Sequence, residues 1–134
     1  MMQNARLSET VKLACSRQLA EFIERTPGVT FAQLTTADGF EVASQPRSTF
    51  VPGKLAAMGS SLHALSEALL AECGQSLSRN VIIESNDGHL ALMAVPGAQL
   101  ALSLLVVSNR SAILGHLLWS AKNCASTLGK LLAY

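Results

Sequence analysis

The stretch RNVIIESNDGHLALMAVPGAQLALSLLVV, residues 79–107, decides the fold. Its second half, Leu90 to Val107, is nearly all apolar and could be read as a membrane segment. Pro96-Gly97 breaks it, and Gln99 and Ser103 interrupt it again, so each half is too short to span a bilayer. Two buried strands joined by a turn fit better. Arg79 to Ser85 reads as a strand, Asn86-Asp87-Gly88 as a hairpin turn, and His89 to Val95 as the partner strand. Gln99 to Val107 is then a third strand. Its unbroken apolar run from Leu100 places it at the centre of a sheet, where both faces are covered.

Upstream, Val29 to Thr36 and Phe40 to Ser44 flank Ala37-Asp38-Gly39, a second hairpin. Two hairpin systems sharing one core predict a single five-stranded, largely antiparallel sheet of α/β (α+β) type. Three helices flank it. Ser8 to Arg25 carries Val11, Cys15, Leu19, Phe22 and Thr26 at spacings of three and four, and Pro27-Gly28 stops it. Pro52 opens a second helix that runs to about Cys73, where Gly74 ends it. A last helix spans Arg110 to about Leu132, with Asn109 as its N-cap and Ile113, Leu117, Cys124, Leu128 and Leu131 on its core side. The expected organisation is one domain over 1–134, with residues 1–7 an unstructured N-terminus.

Composition narrows the function. The chain has 134 residues, 49% of them apolar, and a mean hydropathy of +0.33. A domain this small leaves much of its surface exposed, so the apolar excess points to cover by another subunit. A net charge of +1 with 14% charged residues is not the pattern of a nucleic-acid binder. No secretory signal precedes the first helix, and the widely spaced Cys15, Cys73 and Cys124 read as reduced thiols, which implies a cytoplasmic protein.

The middle helix holds the candidate interface. Leu55, Met58, Leu62, Leu65 and Leu69 form one stripe, expected to pack on the helix's own sheet. Ala57, Ser61, Ala64, Ala68 and Ala71 form a second, displaced by roughly 110°. A row of small residues lets another backbone come close, so this stripe is the candidate dimer contact.

Chemistry is thinly represented. His63, His89 and His116 share no metal-ligand spacing, and Ser61 and His63 point in different directions on one helix. Gly53-Lys54 resembles a phosphate loop only faintly, because Ser48 stands where the first glycine belongs and Leu55 replaces the Mg²⁺-binding hydroxyl. The expectation is no catalytic, metal or cofactor site.

In their order and spacing, several segments resemble the roadblock / dynein light-chain domain family. These are Pro27-Gly28-Val29 with Asp38-Gly39-Phe40-Glu41-Val42-Ala43-Ser44, then Leu55-Ala56-Ala57-Met58, then Val81-Ile82-Ile83-Glu84 before Asp87-Gly88. Leu102 to Val107 followed by Leu114-Gly115 completes the match, which spans about residues 8–132. The resemblance implies one helix on one sheet face and two on the other. It also implies a homodimer in which the middle helix meets its twin through Ala57, Ser61, Ala64, Ala68 and Ala71, and the third strand through Arg79, Val81 and Ile83. It implies a regulator or scaffold of a Ras-like small GTPase, while the charge balance and the broken apolar stretch argue for no nucleic-acid or membrane partner. Two alternatives stay open: a small-molecule-sensing module, and a light-chain-type subunit that pairs with another roadblock-like protein.

Overall fold

The computed structural model describes residues 7–47, 49–78 and 80–133. Helix α1, Glu9–Arg25, begins where the Ser8 hydroxyl accepts the Val11 N–H at 3.2 Å, a side-chain cap that satisfies an otherwise unpaired donor. It buries Cys15, Leu19 and Phe22, the stripe read from its periodicity. The helix stops at Thr26, and Gly28 turns the chain with a φ of +92°. A side chain at Gly28 would collide with the Ala112 backbone, so glycine is required on two counts.

Strands β1, Val29–Thr36, and β2, Glu41–Gln45, meet across the Asp38-Gly39 turn, where Gly39 has a φ of +94°. The Thr36 hydroxyl donates to the Asp38 carboxylate at 2.6 Å and braces that turn. Helix α2, Pro52–Glu72, follows, then β3, Asn80–Ser85, β4, Gly88–Ala94, and β5, Leu102–Asn109. Helix α3, Leu114–Leu131, closes the chain.

The five strands make one sheet in the order β2-β1-β5-β4-β3, and every neighbouring pair is antiparallel. Strand β5 is central, as its apolar run requires, and residues Leu102 to Val106 are all buried. On one face, Phe31, Leu92 and Leu105 form a small core beneath Leu55 and Leu62 of α2. On the other, Leu34, Ala91, Met93, Leu104 and Val106 pack against Cys15, Leu19 and Phe22 of α1 and Leu117, Ala121, Cys124 and Leu128 of α3. Each fully buried leucine contributes about 2 kcal/mol, so the second face carries most of the stabilisation.

Two boundaries differ by several residues from the sequence reading. Strand β5 starts at Leu102 rather than Gln99, because residues 97–101 are used in the connection, where the Ala101 carbonyl accepts the Ala37 N–H at 3.0 Å. Helix α3 starts at Leu114 rather than Arg110. Asn109 is not its N-cap: its side-chain carbonyl accepts the N–H and hydroxyl of Ser111 at 2.9 and 2.6 Å, closing a tight turn before the helix. Ile113 takes the cap position and is 75% exposed instead of buried. The Arg79 start assigned to the third strand lies outside the described residues.

Candidate interaction surface

Helix α2 does not bury the stripe of large residues. The side turned to the sheet centres on Ala56, 0% exposed, and Gly59. At Gly59 a Cβ would meet Leu92 Cδ1 at 4.0 Å, so the helix rides close over bulky sheet residues. Leu55 and Leu62 flank this contact, while Met58, Leu65 and Leu69 are about 60% exposed. The helix is thus turned by about a quarter of a revolution from the setting its large stripe implied. The reason is packing volume: Phe31, Leu92 and Leu105 already fill the space, and small residues fit above them.

Ala57, Ser61, Ala64, Ala68 and Ala71 are all exposed along the crest of α2. The side chains of Met58, Leu65 and Leu69 widen this crest into a continuous apolar ridge. The sequence signal that could have revealed them is the Ala56–Gly59 pair, whose small size marks the close contact.

Beside the ridge lies an open edge. β3 ends the sheet, and from Ile82 to Ser85 it is exposed. Val81 pairs with Leu92 and Ile83 with Leu90, so both point to the α2 face. Val81 packs partly against the Phe31 core, whereas Ile83 stays 44% exposed, because α2 packs most closely on β1 and β2 at the far side of the sheet. Arg79, also assigned to this contact, lies outside the described residues. Among the described residues, a side-chain link ties the helix to the segment leading into this edge: the Glu67 carboxylate accepts the Ser78 N–H at 3.0 Å and stands 3.8 Å from His63 Nε2. It holds the approach to β3 against α2, and sequence reasoning did not find it.

Convergent chemistry is sparse. A cleft of about 510 Å³ beside the middle of α2 is lined by small and aliphatic residues, with Ser60, His63, Gln99 and Ser103 as its polar members. Ser60 spends its hydroxyl on the Ala37 carbonyl at 2.6 Å, and His63 faces Glu67 rather than a nucleophile. Among the described residues, no group of His, Cys, Asp and Glu could hold a metal ion, and no helix is long and apolar enough to cross a membrane. Burial raises the Cys15 thiol to about 11, and burial with the nearby Cys15 raises Cys124 to about 12. Neither is an activated nucleophile.

A five-stranded antiparallel sheet carrying an apolar helix ridge next to an unpaired edge has the surface of a protein-interaction module. Residues 16–109 match the Roadblock/LC7 domain, and the chain belongs to that family. Solved structures share the fold. A Roadblock/LC7 domain from Streptomyces avermitilis superposes with a TM-score of 0.81 at 19% identity, covering 89% of this chain and 98% of its own. MglB from Myxococcus xanthus gives 0.82 at 16%, covering 93% and 92%. The gliding protein MglB from Thermus thermophilus gives 0.79 at 18%, covering 94% and 93%. No curated protein matched in sequence.

Proposed function

We propose that the chain is a homodimeric regulator or scaffold of a Ras-like small GTPase that contributes no catalytic group. The observation that carries this reading is the α2 ridge of Met58, Leu65 and Leu69 around an alanine crest, beside the bare edge of β3. The two parts are self-complementary. In a two-fold pair, the ridge of one subunit can cover the uncovered strip of its partner, and the two β3 edges can share a ladder. Exposed apolar ridges of this kind are characteristic of interaction sites. The GTPase assignment rests on family membership, and the paired state gives such a partner a broad, mostly helical platform.

Sedimentation of the purified protein at micromolar concentration tests the assembly. Wild type is expected to sediment as a dimer, and Ala64→Arg as a folded monomer. A charge forced into a dry helix contact costs on the order of 3–5 kcal/mol, while exposed Ala64 tolerates arginine in the isolated subunit. A monomeric wild type, or a dimer indifferent to the substitution, removes the proposal.

A further inference from the structure

The sheet has a second edge, formed by β2, away from the one assigned to self-association. β2 pairs only with β1, so the N–H and C=O groups on its outer side lack a ladder partner. Among the described residues, no turn or cap bond of the backbone reaches 41–45 either. A groove of about 250 Å³ lies between this edge and α1, with Leu13 and Ser16 on one wall and Glu41 to Ser44 on the other. The Gln45 side-chain amide donates to the Ser16 hydroxyl at 2.9 Å and fixes the spacing of helix and strand. Val42, Ala43 and Ser44 are only 6, 6 and 4% exposed. The unpaired backbone is therefore recessed in the groove, where a missing partner costs most.

The lining groups define what fits. A helix is about 10 Å across, and the five residues of β2 cover roughly 13–17 Å, so a helix laid along this edge needs well over 250 Å³. An extended backbone is thin enough, and it offers the alternating donors and acceptors that an unpaired strand lacks. Leu13 is 54% exposed and gives the α1 wall an apolar surface for one side chain of that backbone. Charge brackets β2. Glu41 opens the strand, Arg47 stands two residues past its end, and both line the groove. Among the described residues neither has an ion-pair partner, whereas Glu9 and Lys12 on the helix wall pair with each other at 4.0 Å. Antiparallel addition continues the pattern of the existing strand pairs, and it sets the N-terminal end of an incoming segment beside Arg47.

We propose that the β2–α1 groove is a second docking site, which adds an extended segment of a partner protein to the sheet beside β2. To match the strand, the segment is about five residues long. It begins with a carboxylate that meets Arg47 and ends with a basic group that meets Glu41. Between them, a β-branched apolar side chain rests on Leu13. Main-chain hydrogen bonds supply the affinity, and the two end charges select the direction of the segment. β2 and β3 are opposite edges of the sheet, so β2 stays free when β3 is covered. The site does not depend on self-association or on a GTPase partner.

The test titrates the ¹⁵N-labelled full chain with the end-blocked peptide Asp-Thr-Val-Thr-Lys and follows amide chemical shifts. Wild type should show saturable shifts centred on Val42 to Gln45. N-methylation of alternate peptide amides blocks one edge of the peptide at a time. One of the two methylation patterns should weaken binding on the order of tenfold, and the other should leave it nearly unchanged. Arg47→Glu should bind about fivefold more weakly. Because Arg47 is exposed, its replacement should not move the melting temperature. The double variant Arg47→Glu with Glu41→Lys should prefer the reversed peptide Lys-Thr-Val-Thr-Asp. Ala64→Arg should bind as wild type does, which separates this site from the α2 ridge. Equal binding of both methylated peptides would show that no ladder forms and would overturn the proposal. So would the absence of saturation, or shifts that spare β2. A wild-type dimer that dissociates on Arg47→Glu would give the edge to a second copy of the chain and overturn it as well.

Discussion

Gly129 shows how little room α3 leaves at its contact with the β4–β5 connection. A Cβ there would lie 1.8 Å from the Pro96 carbonyl oxygen, so the backbone would have to move. Gly129→Ala should cost about 2–3 kcal/mol, read as a shift in the urea midpoint. Below the ordinary thiol value of 9.0, Cys15 and Cys124 are neutral in folded and unfolded chains alike. Above it the unfolded thiols ionise, while burial keeps the folded ones protonated until about 11 and 12. Stability should hold up to about pH 9 and fall as pH rises through that window. Thermal melts across the range check this, and Cys124→Ala should flatten the decline. The sequence marked both cysteines as core residues by their helical positions. It did not mark Gly129, because the carbonyl that excludes a side chain comes from a distant turn.

At the scale of the element, α2 is the instructive case. Its composition offers two rival buried faces, one of leucines and one centred on Ala56 and Gly59. The space above Gly59 is that of ordinary van der Waals contact, since a Cβ would meet only Leu92 Cδ1, at 4.0 Å. Gly59→Ala should therefore stabilise the chain by about 0.5–1 kcal/mol through reduced unfolded-state entropy and better helix propensity. A loss measured by urea denaturation would mean that α2 sits closer to the sheet than described. Helix α1 raised no such ambiguity. Its apolar residues form one stripe, and that stripe is the buried one.

For the whole molecule, the two sheet faces have different duties. Helices α1 and α3 seal one face, while α2 covers only part of the other and leaves a ridge and an edge. In the proposed GTPase complex, the chain acts by ordering the switch loops of its partner rather than by donating an arginine. Arg47 is exposed on the β2–α2 connection, whereas Arg6 lies outside the described residues. Single-turnover GTP hydrolysis by a Ras-like GTPase encoded beside this chain should change less than about threefold on Arg47→Ala. A loss of about a thousandfold would identify an arginine finger instead.

Turn chemistry and periodicity were enough to set out the hairpins around Asp38-Gly39 and Asp87-Gly88, the central place of β5 and the buried face of α1. These features depend on φ preferences and on side-chain spacing within one segment, so a single chain read in order displays them. The rotation of α2, the late start of α3 and the Glu67–Ser78 link were not legible in that way. Each depends on which surface another element presents. Bulky Phe31, Leu92 and Leu105 admit only small residues of α2 above them, and the Asn109–Ser111 turn delays α3 where Ala112 abuts Gly28. Only the packed structure decides such matters, because shape complementarity is a property of two surfaces together.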